Sequence, residues 1–322
     1  MYDSRLKNLG RLALFSAALL WGVSFVAMKN ILTNIPTLYI LAIRFCGAAI
    51  ILLPACVTKL KKTGREHLPA AALLGVTLLL AYIFQTYGLR LTTPGKNAFL
   101  TSAYCVIVPF LYWAASAFSP SKGHLRRCKR SNEVHPPYEL KRGSIAGRPD
   151  IFNVVAAFIC IAGIGFISLD GSFNIGAGDT LTIVCGLFFA IHIVITSKAV
   201  EKRDPIMLSM LQFAAAGVLS LLCAFIFEPF PTGVTTVDVW TLVFLTVVST
   251  ALCIAMQVFG QKHTPPSQAA VIMTFESVFG AISSVIFYRE VITLRLFAGF
   301  SLTFAAVIIS ETKLTFLKRK IS

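Results

Sequence analysis

The sequence predicts an all-α polytopic membrane protein with ten transmembrane helices in two inverted five-helix repeats. Three observations predict it: successive apolar runs of membrane-spanning length, basic residues confined to alternate loops, and an internal similarity between the two halves. Of 322 residues, 56% are hydrophobic and 13% charged, against about a quarter charged in a typical soluble domain. A membrane helix needs roughly 20 apolar residues. Such runs lie at about 10–29, 36–58, 69–90, 96–117, 150–169, 179–199, 205–227, 237–258, 266–287 and 292–310. Lipid offers no partner to a backbone amide, so segments of this length are helices rather than barrel strands. The first run, Gly10 to Met28, is too long for a signal-peptide core and lacks a cleavage pattern. It reads as a retained first span.

With the N-terminus placed in the cytoplasm, 23 Lys and Arg residues fall on that side. Five fall on the other (Lys29, Arg90, Lys96, Arg289 and Arg295), and Arg44 lies within the second span. This bias places both termini in the cytoplasm of a multi-pass plasma-membrane protein. It also accounts for the net charge of +15 without a nucleic-acid partner, because the charges follow the loops and form no patch. Seven of the eight cysteines sit in apolar runs and Cys128 in a basic loop, with no CxxC or Cys/His spacing. The pattern implies no metal, no disulfide framework and no cofactor.

The repeat is read from matched residues. Trp21 and Arg44-Phe45 have the same spacing as Phe189 and Gln212-Phe213, and Pro36 answers Pro205. Gln85-Thr86-Tyr87-Gly88 followed by Thr92 matches Gln257-Val258-Phe259-Gly260 followed by Thr264. Two units follow, 1–170 and 171–322. An odd number of spans in each forces the copies into opposite orientations, the inverted repeat of secondary transporters, with a site near the midplane between them. The first half carries about 30 extra residues at 119–148, basic and Pro-containing, expected to form a mobile cytoplasmic loop.

Ala18-Leu19-Leu20-Trp21-Gly22-Val23-Ser24-Phe25 resembles the first-helix motif of EamA-type members of the drug/metabolite transporter superfamily. Thr92-Thr93-Pro94-Gly95-Lys96-Asn97-Ala98-Phe99-Leu100-Thr101, with Pro109 beyond, is similar to their third-to-fourth-helix segment. Thr274-Phe275-Glu276-Ser277-Val278-Phe279 and Tyr288-Arg289-Glu290-Val291-Ile292-Thr293 resemble their C-terminal segment. Two departures stand out. Phe118 and the insertion replace the Gly-Glu after the fourth helix, and Ser277 replaces the usual Pro after Glu276. The resemblance implies ten helices, two EamA repeats and a central cavity open to one side at a time.

Ionisable groups inside a bilayer are costly, about 2.5–3.5 kcal/mol at a helix centre on insertion scales, and face a cavity or a partner. Glu276 lies near the middle of the ninth span. It is either a cavity carboxylate that binds a cationic group or a proton, or an acid held by hydrogen bonds between helices. Arg44 either meets a substrate carboxylate or pairs with carbonyls or Glu276 to hold helices together. His192 either titrates or packs with a hydrogen bond. Gln85 and Gln257 are repeat-related, as are Arg44 and Gln212, which suits a shared cavity and equally suits helix–helix bonding. Trp21 and Tyr104 either stack on a solute or fill helix interfaces. Lys96 is read as an interfacial lysine or part of an anion-attracting helix start.

These eight residues (Trp21, Arg44, Gln85, Tyr104, His192, Gln212, Gln257 and Glu276) are the candidate site. The expected activity is secondary transport by alternating access, export being the commoner direction that the resemblance implies. No GxxxxGK[ST] run supports ATP drive. Abundant aromatics and few intramembrane charges point to a small-molecule solute of amino-acid size, neutral or zwitterionic. An enzyme would need clustered carboxylates or a nucleophile–base pair, and no HExxH, GxSxG or DDxxD group occurs. The alternative, a non-transporting receptor or structural protein, lacks a soluble domain to signal through.

Overall fold

Each apolar run is helical in the computed structural model, which describes residues 2–60, 67–117, 149–169, 175–199, 204–263 and 266–313. In chain order the helices are α1 (Tyr2–Ile31), α2 (Thr37–Leu60), α3 (Leu68–Leu91), α4 (Pro94–Ser102 and Tyr104–Ala117), α5 (Ile151–Ser168), α6 (Ala177–Ala199), α7 (Pro205–Phe227), α8 (236–263), α9 (Pro266–Tyr288) and α10 (Leu294–Thr312). Among the described residues eight are long and apolar enough to cross a membrane, and the apolar parts of α9 and α10, Ile272–Tyr288 and Leu294–Ser310, are shorter. The basic stretch 119–148, with Cys128, lies outside the described residues.

Short polar side chains set the helix starts. Thr93, Asp150, Asp204, Thr235 and Thr293 each accept a hydrogen bond from the backbone N–H three residues on, satisfying a donor the helix itself leaves open. Asp150 does this in a reciprocal box with Asn153 and also pairs with Lys313 at 2.7 Å. Burial pushes the Asp150 carboxyl up, but Lys313 and the Asn153 and Phe152 N–H groups outweigh it and hold it below the usual carboxylate range. A lowered pKa means stability that is present above the ordinary value and lost as pH falls through the lowered one. Asp150→Ala is therefore expected to cost about 1 kcal/mol at neutral pH, with the difference vanishing in acid, as read by thermal unfolding in detergent.

Two helices are irregular. Pro109 lies inside α4, where it has no N–H to donate to the helix, and α4 breaks earlier, at Ala103, whose N–H turns to the Leu100 and Thr101 carbonyls. In α8 the segment Phe244–Leu252 is π-helical, and the Thr250 hydroxyl bonds the Leu245 carbonyl at 2.7 Å. Such bulges are frequent at functional sites.

Helix packing follows the repeat. α1 packs on α9 as α6 packs on α4, α1 on α8 as α6 on α3, and the pairs α2–α7 and α5–α10 are each closed by their own counterparts. Without a hydrophobic force between helices in lipid, close approach comes from small residues. A Cβ on Gly88 of α3 would lie 2.9 Å from the Gly178 carbonyl of α6. A Cβ on Gly260 of α8 would lie 2.8 Å from the Gly10 carbonyl of α1. Gly88 and Gly260 are 172 residues apart and Gly10 and Gly178 are 168 apart. The same backbone contact is thus made twice. The connections α1–α2, α3–α4, α5–α6, α7–α8 and α9–α10 gather at one end, called the far end below. The N-terminus lies at the opposite, terminal end.

Candidate functional site

The two lining helices of the central cavity are repeat counterparts. Thr101, Ser102 and Tyr104 at the break in α4 face Met273, Thr274 and Glu276 of α9 across a space of about 10 Å3, room for about one water molecule. The break places Tyr104 on this wall. Gln85 of α3 donates to Thr101 Oγ1 at 3.3 Å, and Gln257 of α8 donates to Met273 Sδ at 3.9 Å. Both the glutamines and their partners are 172 residues apart. The cavity walls are therefore buttressed by the same bond in each half. Asn97, fully buried, adds bonds to the Gln85 carbonyl at 3.2 Å and Thr182 Oγ1 at 2.8 Å, tying α3, α4 and α6 together.

Arg44 of α2 is 4% exposed. Its Nε and Nη2 donate to Thr250 Oγ1 at 3.3 and 3.2 Å, and its guanidinium carbon lies 5.3 Å from the centre of the Tyr82 ring. The expected pairing with carbonyls or with Glu276 is thus replaced by a hydroxyl on the π-helical segment and an aromatic face. Neither partner carries a full countercharge. Trp21 of α1 donates Nε1–H to the Ser249 carbonyl of the same segment at 2.7 Å, an acceptor that the wider π turn presents to it. Trp21 and Arg44 therefore hold adjacent residues of α8.

Glu276 stands halfway along α9. Among the described residues its carboxylate receives no hydrogen bond or ion pair. It lies in electrostatic range of Tyr82, Cys185 and Cys253, and Arg44 acts on Tyr82 and Cys253 as well. An arginine from the first half thus lies over the Tyr82 ring, and a glutamate from the second is within electrostatic range of it, without a bond between the two. Aromatic rings complete the region: Tyr82 meets Phe189 at 5.4 Å and Phe45 at 5.1 Å, and Phe189 reaches Tyr104 at 6.1 Å. His192 and Gln212 do not line the cavity; His192 Nε2 and Gln212 Oε1 bond each other at 3.0 Å between α6 and α7. This favours the packing reading of His192. Lys96, at the start of α4, pairs with Asp179 at 3.4 Å.

The residues that sequence reasoning missed are Tyr82, Thr101 and Thr250. Tyr82 lies one helical turn before Gln85, so the face was marked, but a tyrosine in an apolar helix carries no distinguishing signal.

The fold is shared with a crystallised protein that is 18% identical, with a TM-score of 0.58 over 94% of this chain and 96% of that one. An uncharacterized transporter of Archaeoglobus fulgidus is 28% identical over 93% of this chain and 85% of its own length. The uncharacterized transporter YoaV of Bacillus subtilis is 25% identical over 96% of this chain and 98% of its own. The family model of EamA-like transporters matches residues 8–125 and again 176–312, one copy in each half. The chain belongs to the EamA-like transporter family of the drug/metabolite transporter superfamily.

Proposed function

We propose that this protein is a secondary transporter that exports a small zwitterionic, amino-acid-like solute across the plasma membrane by alternating access between units 1–170 and 171–322. The observation that supports the reading is the pair Arg44 and Glu276, contributed by opposite halves: Arg44 lies over the Tyr82 ring and Glu276, on the cavity wall, is within electrostatic range of that tyrosine, with no full countercharge bonded to either among the described residues. An unpaired charge at this depth is costly. A solute that brings a carboxylate to Arg44 and an ammonium to Glu276 relieves both costs at once, while the tyrosine faces accept the ammonium and its apolar neighbours. In this reading the space of about 10 Å3 between α4 and α9 is too small for such a solute. Loading then requires the halves to separate at one end. Both termini lie in the cytoplasm in this reading, from the 23 to 5 bias in basic residues.

Glu276 is the acid–base group through which a proton couples to the solute. The test is uptake of a labelled amino-acid mixture into inside-out vesicles, with and without an imposed pH gradient. Accumulation is expected that needs the protein and collapses with the gradient. Glu276→Gln is expected to abolish gradient-driven accumulation while sparing solute exchange. Unchanged accumulation in that variant would remove Glu276 from the proton path, and no uptake of any amino acid by the unmodified protein would overturn the solute class.

A further inference from the structure

Four carboxylates at the far end share a property that the transport site does not require. Glu290, Glu228, Asp179 and Asp238 all belong to the second half, and each bonds a far-end element of the first. Glu290, after α9, accepts from Thr93 Oγ1 and from the Gly95 N–H at 3.1 Å, at the start of α4. Glu228, after α7, accepts from the Leu38 N–H of α2 and from the Tyr87 hydroxyl of α3, both at 2.7 Å. Asp179 of α6 takes Thr92 Oγ1 at 2.5 Å and Lys96 Nζ at 3.4 Å. Asp238 of α8 takes Asn34 Nδ2 at 3.0 and 3.2 Å.

Two of these contacts are helix caps supplied from the wrong half. The first-turn N–H groups of a helix need acceptors, usually a side chain just upstream. Leu38 and Gly95 instead take theirs from Glu228 and Glu290, 190 and 195 residues away, and negative charge is favoured at such helix ends. On separation of the halves, water takes over these donors, so the contacts can be released without stranding a buried group. The approach to Glu290 is also strained: Arg289 adopts φ 55°, a left-handed conformation that non-glycine residues avoid and that persists where surrounding contacts enforce it. Ser284 Oγ holds the same carboxylate from α9.

The carboxylates are mostly not repeated in the sequence of the other half. At the offsets of 168 and 172 residues that align the halves, Asp179 corresponds to Arg11 and Glu290 to Phe118, and only Asp238, matching Glu66, finds a carboxylate. Asp150–Lys313 and Asn153–Ser310 also join the halves, but on α5 and α10, outside the two helices that line the cavity.

We propose that Glu228, Glu290, Asp179 and Asp238 form the far-end gate, a clasp that seals the cavity on that side and opens as a unit during transport. This rests on the alternating-access reading. Half of an inverted repeat that rocks against the other must break whatever joins them at the opening end, and these bonds fasten second-half loops to the starts of α2 and α4.

Two measurements on the full-length protein test it. The first uses a variant keeping Cys185, which lies 4.0 Å from Thr101 on the cavity wall, as its one cysteine. It reads the rate of modification by a membrane-impermeant thiol reagent applied to the far-end face. Adding Glu228→Ala and Glu290→Ala is expected to raise that rate at least tenfold; an unchanged rate in protein that remains monodisperse overturns the proposal. The second is read against its own unbridged form: Asn34→Cys with Asp238→Cys, bridged by a short bis-thiol reagent, is expected to stop transport reversibly. Full transport while bridged overturns the clasp. If the unmodified protein moves no solute, it is the transporter reading that fails, and the labelling rate still decides whether these carboxylates seal the cavity.

Discussion

Arg44→Met is expected to lower transport at least about 30-fold while leaving the protein folded in the membrane. The two halves of that expectation have separate reasons. Truncating one member of a desolvated charge pair costs about 2–5 kcal/mol, and the solute carboxylate loses its only fixed cation in this reading. The fold loses little, because the guanidinium bonds at 3.2 and 3.3 Å go to one hydroxyl, Thr250 keeps its own bond to the Leu245 carbonyl, and a methionine can still pack on the Tyr82 ring that Arg44 covers. Because no carboxylate is bonded to Arg44, an apolar side chain of similar volume leaves no partner charge stranded and removes a desolvation cost. Arg44→Lys is not expected to restore transport, since an ammonium lacks the planar fork that meets a carboxylate at two points. The check is transport per folded molecule, with folding followed by thermal unfolding. Lost stability with full transport per molecule would make Arg44 a strut between α2 and α8.

Gly88→Val and Gly260→Val are each expected to destabilise the bundle by about 3 kcal/mol or more, enough to remove most folded protein. The magnitude comes from what the new atoms meet. Overpacking usually costs about 1–3 kcal/mol because neighbouring side chains give way; here the obstacles are the backbone carbonyls of Gly178 and Gly10, which move only with their helices. Removing glycine from a helix otherwise gains about 0.5–1 kcal/mol, so a net loss isolates the contact. Gly165→Ala in α5 is the control: its Cβ would meet only Leu169 Cδ1 at an ordinary 3.6 Å, and stability is expected to hold or rise. Equal losses at Gly88 and Gly260 would reflect the duplicated contact. Tolerance at both would contradict the close α3–α6 and α1–α8 packing.

The helices were legible because membrane crossing is a matter of local composition: a run of about 20 apolar residues needs no tertiary information to be recognised. The halves were legible because Gln85 and Gln257 kept their neighbours along the chain. Arg44 and Glu276 stood out for a related reason, as charges within apolar runs. Their surroundings did not stand out. Thr250 is 206 residues from Arg44, one hydroxyl among many, and reaches it through a π-helical turn that no residue pattern marks. Pro109 was visible in the fourth span, but nothing in the sequence marked the break at Ala103 or that it would place Tyr104 on the same wall as Glu276. Glu290 belonged to a recognisable segment, yet its bond to the Gly95 N–H depends on how two loops 195 residues apart meet. Lys96 illustrates the same limit, since its pairing with Asp179 on another helix was not among the readings the sequence suggested.

The most direct test of the two-charge site is binding of a labelled zwitterionic amino acid to the purified protein, compared with its N-acetyl and amide analogues, in unmodified, Glu276→Gln and Arg44→Met forms. If the ammonium meets Glu276 and the carboxylate meets Arg44, each variant is blind to the matching charge: Glu276→Gln binds the zwitterion and its N-acetyl analogue alike, and Arg44→Met binds the zwitterion and its amide alike. Such a loss of discrimination is the coupling expected of groups in contact. If each variant instead keeps the full preference of the unmodified protein for the charged form, the losses add as for independent sites, and the solute does not lie between Arg44 and Glu276.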